Sequence, residues 1–191
     1  MSYTGKSNDE QRLAEQIRNG DNGAMKEFYS HSAAYLKGVC SRYVTDRDAA
    51  KDVFQNALVR ILTHITEFRY QGQGSLQAWA ARIVVHEALR YLRDTRQHEM
   101  TRWDDDTMEV PEAEDPPIRD IPPEVIHQMV RQLPTGYRTV FNLYVIEDKS
   151  HEEIASLLGI SVGTSSSQLH RAKHLLAEMI KAYNDNNEPP R

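Results

Sequence analysis

The chain has 191 residues, 39% of them hydrophobic and 27% charged, with a formal net charge of −5. Those proportions suit one ordinary globular domain or two small ones and exclude a largely disordered chain. A single cysteine, Cys40, excludes an intrachain disulfide and a Cys-rich metal cage. Leu13 and Ile17 then mark a short first helix, ended by Asn19-Gly20. Asp21 or Asn22 is placed to cap a long second helix. Its apolar stripe is Met25, Phe28, Leu36, Val39, Cys40 and Tyr43, with three- and four-residue spacing that puts Cys40 in the core. Asp46 or Asp48 starts a third helix whose stripe runs Ala50, Val53, Phe54, Ala57, Leu58, Ile61, Ile65 and Phe68. Gly72 and Gly74 break the chain, and Ser75 is the expected cap of a fourth helix over 76 to about 96.

Charge is unevenly placed. Residues 1–99 carry 14 basic and 12 acidic residues, net +2, whereas residues 100–121 carry 2 basic and 8 acidic, net −6. The second block also holds Pro111, Pro116 and Pro117, and Pro122 and Pro123 follow it directly. Proline removes helix donors and like charges repel, so 100–121 reads as an extended acidic linker. The predicted architecture is all-α: two small helical domains, 9–99 and 122–183, joined by that linker. No segment alternates convincingly with the period of two that strands need, and no internal repeat is evident.

In the second domain Val125, Ile126, Met129, Val130 and Leu133 form one stripe. Pro134 suits the first turn of the next helix, which carries Tyr137, Val140, Phe141 and Tyr144. Ser150 and Glu153 have the spacing of a capping box. The helix they open holds Ile154, Ala155, Leu157 and Leu158, and Gly159 suits a left-handed stop. Ser161 caps a last helix through Leu169, Ala172, Leu175, Leu176 and Met179. A short helix, a Gly-containing turn and a second capped helix form a helix-turn-helix pattern. The exposed start of that second helix is expected to present Ser161, Val162, Gly163, Thr164, Ser165, Ser166, Ser167 and Gln168, then His170, Arg171 and Lys173. Hydroxyls, an amide and cations suit base edges and phosphates. An ordinary helical hairpin with a Ser-rich cap is the alternative.

A second pattern lies on the fourth helix. Ala81, Val85, Leu89 and Leu92 follow spacings of 4, 4 and 3, and Arg82, His86, Arg90 and Arg93 repeat those spacings one residue later. One face packs while its neighbour presents cations. Trp79 and Tyr91 lie beside them, and aromatics among arginines suit unstacked bases. A solvated face of a core helix is the plainer reading of such a stripe. His170 and His174 stand at i, i+4 but have no third ligand nearby in sequence and do not fit HExxH, so no metal or other cofactor is expected. There is no P-loop, GxGxxG or GxSxG, and nothing points to an enzyme. No apolar run approaches the length of a membrane span, and Met1–Lys6 has no apolar signal core. A cytoplasmic protein without membrane insertion is expected.

Together these residues resemble a family. Asp48-Ala49-Ala50-Lys51-Asp52-Val53-Phe54-Gln55 resembles the polymerase-binding signature of bacterial sigma factors. Ser75-Leu76-Gln77-Ala78-Trp79-Ala80-Ala81-Arg82-Ile83 resembles the start of their promoter-opening helix. Leu133-Pro134, Tyr137-Arg138, Val140-Phe141, Glu152-Glu153-Ile154-Ala155, Leu158-Gly159-Ile160-Ser161, Gly163-Thr164 and Leu169-His170-Arg171-Ala172-Lys173 are similar to the family's fourth region. The order and separation of these motifs identify the chain as similar to the extracytoplasmic-function (ECF) sigma factors, which keep only regions two and four, over roughly residues 10–180.

The resemblance implies that Asp48, Asp52 and Gln55 dock on the clamp helices of the largest subunit of core RNA polymerase, and that region four touches another subunit. It implies that Arg69, Tyr70, Trp79, Arg82, His86, Arg90 and Arg93 engage the minus-ten element of promoter DNA, with an extruded base trapped near the loop from Phe68 to Ser75. It implies that the helix from Ser161 to Lys173 reads the minus-thirty-five element. An anti-sigma factor is a further candidate partner, and the acidic linker would thread toward the polymerase active site, a plain solubilising spacer being the alternative. Two departures stand out. Many relatives have Asn where this chain has His86, which bears on base preference. A common form has Val-Lys-Ser-Arg where this chain has Ser165-Ser166-Ser167-Gln168, so two cations are missing and weaker stand-alone DNA binding is expected. A stand-alone helix-turn-helix regulator is the alternative function; it accounts for 150–180 and leaves 48–99 unexplained.

Overall fold

The structure is a computed structural model describing residues 7–98 and 121–187. The chain divides into two compact units, Met1–Thr95 and Arg96–Arg191. The described residues are helical with no strands. The acidic linker expected at 100–121 lies outside the described residues, except for Ile121.

The first unit is built from α1 (Ser7–Arg18), α2 (Asn22–Tyr43), α3 (Arg47–Thr63) and α4 (Ser75–His98). Gly20 turns the chain after α1 at φ 82°. Asp21 then caps α2, its carboxylate accepting from the Gly23 and Ala24 N–H groups at 2.7 and 3.2 Å. Asp46 caps α3 by accepting from the Ala49 N–H at 2.8 Å. Caps of this kind stabilise a helix by about 1 kcal/mol each. α1 packs on α2 and α2 on α3, around Phe28, Leu36, Val39, Tyr43, Phe54 and Ile61, all nearly inaccessible. Cys40 belongs to this core, and burial pushes its thiol pKa up to about 11.

The third helix is shorter than its apolar stripe suggested. α3 ends at Thr63, and Ile65–Glu67 form a separate 3-10 turn. Ile65 and Phe68 still reach the core, at 3% exposure each, so the apolar positions are buried although the helix is not continuous. Ser75 also differs from expectation. It is the first residue of α4, and its hydroxyl accepts from the Gln71 N–H at 3.2 Å instead of capping the helix.

α4 buries Leu76, Ala80, Val84, Val85, Ala88 and Leu89, and also Glu87, at 8% exposure. A buried carboxylate needs a partner, and Arg60 on α3 supplies it at 2.9 Å, tying the two helices together.

The second unit comprises α5 (Pro123–Gln132), α6 (Thr135–Phe141), a π-helical turn (Asn142–Ile146), α7 (His151–Leu158) and α8 (Val162–Asn187). α5, α6 and α7 pack on α8. Met129, Val130 and Leu133 meet Ala172, Leu176 and Ile180. Arg138 lies inside, donating from Nη1 to the Leu133 carbonyl at 2.8 Å and the Arg131 carbonyl at 3.3 Å, so it closes the end of α5. Burial, with the nearby Arg131 charge, pushes its pKa down. Tyr144 does not continue the α6 stripe. The π turn widens the helix there, leaving Tyr144, Val145 and Ile146 at 38%, 49% and 46% exposure.

Arg60→Met should lower the stability of the first unit by about 2 kcal/mol, because it leaves the Glu87 carboxylate buried and unpaired. The double variant Arg60→Met/Glu87→Leu should lose less than the single one. Urea unfolding of the three proteins checks this; equal losses would show that the pair carries no coupling.

Candidate nucleic-acid interface

α3 separates its faces cleanly. Val53, Phe54, Ala57 and Ile61 are buried, whereas Asp48, Asp52 and Gln55 are exposed on the far side. Continuing their spacing by four residues reaches Val59, which is 61% exposed. The polar stripe therefore ends on an apolar side chain. Counting onward from Gln55 at helical spacing would have found it in the sequence.

α4 carries the cationic face. Arg82, His86, Arg90 and Arg93 are exposed, beside the buried stripe of Ala81, Val85 and Leu89. Arg90 lies 3.9 Å from Asp94, a surface pair that contributes little energy. Two glycines shape the loop before α4. Gly72 and Gly74 adopt φ 115° and 86°, a region that side chains with a Cβ rarely occupy. Arg69 Nη1 donates to the Thr66 and Phe68 carbonyls at 2.9 and 3.2 Å, while the residue as a whole remains exposed. Tyr70 is half-buried. Trp79 is half-buried too, with its ring tilted against Phe68 at 5.6 Å between centroids, so part of its aromatic surface holds the start of the loop.

The helix-turn-helix is present in α7 and α8. Ser150 and Glu153 form the capping box: the Glu153 N–H donates to the Ser150 hydroxyl at 3.2 Å, and the Ser150 N–H donates to the Glu153 carboxylate at 2.9 Å. The Lys149 ammonium, then the Ser150 N–H, hold the Glu153 pKa down. Gly159 ends α7 in the left-handed conformation, φ 65°. Small Ala155 is buried at 9% exposure on α7, which packs on α8. Ser161 opens α8, accepting from the Thr164 N–H at 2.9 Å.

The recognition face differs from the one expected. Ser165 and Gln168 are buried, at 0% and 2% exposure, and do not belong to the surface. Ser165 Oγ instead meets His151 Nδ1 at 2.9 Å, and the His151 ring stacks on Tyr144 at 4.8 Å. The pair thus links α8 to α7 and the π turn. The pattern was in the sequence: Ser165 and Gln168 each lie four residues before a buried apolar residue, Leu169 and Ala172. Ser161, Gly163, Ser166, Ser167, His170 and Lys173 are exposed, with Thr164 and Arg171 half-buried. Ser167 Oγ donates to the Thr164 carbonyl at 3.1 Å. His174 is partly covered, its Nε2 lying 3.8 Å from Glu178. Among the described residues, no three His, Cys, Asp or Glu side chains are grouped to hold a metal ion.

Both halves of this arrangement match known families. Residues 28–98 match Sigma-70 region 2, and residues 124–176 match Sigma-70, region 4. The ECF RNA polymerase sigma-E factor of Haemophilus influenzae is 26% identical, over 90% of this chain and 95% of that protein. The chain belongs to the sigma-70 family, in its ECF class.

It is an RNA polymerase sigma factor of transcription initiation. The RNA polymerase sigma-H factor of Pseudomonas aeruginosa is similar at 27% identity, over 90% of this chain and 94% of that one. A solved complex of the sigma factor RpoE with the anti-sigma factor NepR from Bartonella quintana is similar at 21% identity, over 82% of this chain and 96% of that chain, with a TM-score of 0.47. A stand-alone helix-turn-helix regulator is not favoured, because it leaves the region 2 match without a role. No helix among the described residues is long and apolar enough to cross a membrane.

Of the two cations absent from the recognition helix, the position of Gln168 is buried and that of Ser166 is exposed. Ser166→Lys should therefore strengthen DNA binding and steepen its salt dependence by about 0.9 in log K per log salt, one phosphate's share. Gln168→Arg should lower the melting temperature, because it forces a charge into the core. Filter binding across a salt series, with a thermal melt of each variant, checks both; the reverse pattern would show that Gln168 faces DNA.

Proposed function

We propose that this sigma factor divides its work among three exposed faces. Asp48, Asp52 and Gln55 dock on the clamp helices of the largest polymerase subunit, with Val59 extending the contact. Arg69, Tyr70, Trp79, Arg82, His86, Arg90 and Arg93 engage the minus-ten element as it opens. Ser161, Gly163, Thr164, Ser166, Ser167, His170, Arg171 and Lys173 face the minus-thirty-five element, and Ser165 and Gln168 hold their helix in place behind them.

The observation that carries this reading is the pair of stripes in the first unit. The acidic and amide residues of α3 suit hydrogen bonds from arginines on a partner helix. The cations of α4 suit a phosphate backbone, and the aromatic residues just before and along it suit unstacked bases. Two adjacent helices thus offer opposite chemistry to two partners. The second unit contributes hydroxyls and few cations, which favours modest DNA affinity alone and larger affinity when polymerase holds both units on one promoter.

On this reading the chain performs no bond-making chemistry; polymerase does. It works in the cytoplasm, where polymerase and DNA meet. A protein that covered the α3 stripe would block polymerase docking, which is the action proposed for an anti-sigma partner.

Asp52→Arg should weaken binding to bacterial core polymerase by at least about tenfold, since it places like charge against the partner's cations. Asp52 is exposed, so the fold should survive, as circular dichroism would show. Unchanged affinity in a folded variant would remove the α3 stripe from the polymerase contact.

A further inference from the structure

We propose that α1 is a clamp that sets the shape of the 69–74 loop for promoter opening, with Glu10 and Arg18 as its positioning residues; this rests on the reading above that the loop and α4 engage the opened minus-ten element. α1 lies outside the segment 28–98 that matches sigma-70 region 2. It nevertheless holds the loop at both ends. At the far end, the Gly74 N–H donates to Glu10 Oε2 and the Leu76 N–H to Glu10 Oε1, each at 2.9 Å. One carboxylate thus takes two amides, 64 and 66 residues away in sequence, where α4 begins. At the near end, Arg18 Nη2 donates to the Phe68 carbonyl at 3.4 Å. Glu10 and Arg18 are about 12 Å apart along α1 at the helical rise, so the helix lies alongside the loop between its two anchors.

Three observations make this external hold necessary. Gly72 and Gly74 adopt positive φ, and glycine takes other conformations as readily, so the loop backbone does not fix itself. The local cap of α4 is spent elsewhere, because Ser75 Oγ accepts from Gln71. Packing does not supply the constraint either. The first residues of the loop, Arg69 and Tyr70, border a cavity of about 300 Å³ that Gln11 and Arg18 of α1 line from the other side. Such a loop keeps one shape only while its ends are held. A base-binding loop that is ordered before DNA arrives loses less entropy on binding. The negative charge of Glu10 also suits the positive end of the α4 dipole.

The test compares wild type with Glu10→Ala, Glu10→Gln and the control Asp9→Ala, each as the full chain. Amide hydrogen exchange reads the clamp without DNA. The Gly74 and Leu76 amides should exchange at least tenfold faster in Glu10→Ala, by an intermediate amount in Glu10→Gln, which keeps one acceptor, and as in wild type in Asp9→Ala. Unchanged exchange in both Glu10 variants would overturn the clamp. Each protein is then assembled with bacterial core polymerase and tested on a single-stranded oligonucleotide that the wild-type holoenzyme has selected from a random pool. Glu10→Ala should bind it about tenfold more weakly while binding core polymerase equally well, and Glu10→Gln should again fall between. Faster exchange with undiminished oligonucleotide binding would overturn the positioning role. A wild-type holoenzyme that selects no single-stranded sequence would overturn the minus-ten reading and this proposal with it, and the exchange data would show separately whether the contact exists.

Discussion

The helix α4 must satisfy two environments at once, and the first unit is arranged around that demand. Its buried stripe supplies much of the core, and its cationic stripe begins one residue later. A rotation of about 100° about the helix axis, one residue's share, would expose leucine and bury arginine. The register is therefore fixed by packing, by the Arg60–Glu87 pair on one side, and by the anchored loop at its start. The same packing that stabilises the unit aims its cations outward. Core packing and the exposed cations share one helix, and the carboxylate buried on α4 is paired with Arg60.

The second unit meets a related demand with other means. The first turns of α8 have to be held in place, yet few large apolar residues occur there. Polar contacts do the work instead: the capping box on α7, the left-handed Gly159, and the contact of Ser165 with a histidine that also stacks on Tyr144. Serines in that segment divide between two roles. Ser165 faces inward, whereas Ser166 and Ser167 remain at the surface.

Much of the fold was legible because its determinants are local. Asp21, Asp46, Ser150 and Gly159 act on amides or carbonyls within a few residues, so their sequence neighbourhood suffices. The stripes of α4 were legible because helical spacing is regular. The Glu10 contact was not, since its partners lie 64 and 66 residues away. The π turn at 142–146 was missed because it adds a residue to a helix without a distinctive side chain to mark it. Ser165 and Gln168 were misplaced for a different reason. Their polarity suggests solvent, but each stands four residues before a buried apolar residue, Leu169 and Ala172, and helical spacing turns them to the same inward face. On α3, the same helical spacing carried past Gln55 reaches Val59, an apolar residue that the structure leaves exposed.

The central claim is that two separate units read promoter DNA only when polymerase brings them to it. The most direct measurement is transcription of a randomised promoter library by core polymerase with and without this chain, followed by sequencing of the templates transcribed. The account predicts transcripts that depend on the chain, from templates enriched in two separated sequence blocks, with Arg82→Ala/Arg90→Ala eroding the downstream block alone. A single block, bound equally well by the chain without polymerase, would contradict it.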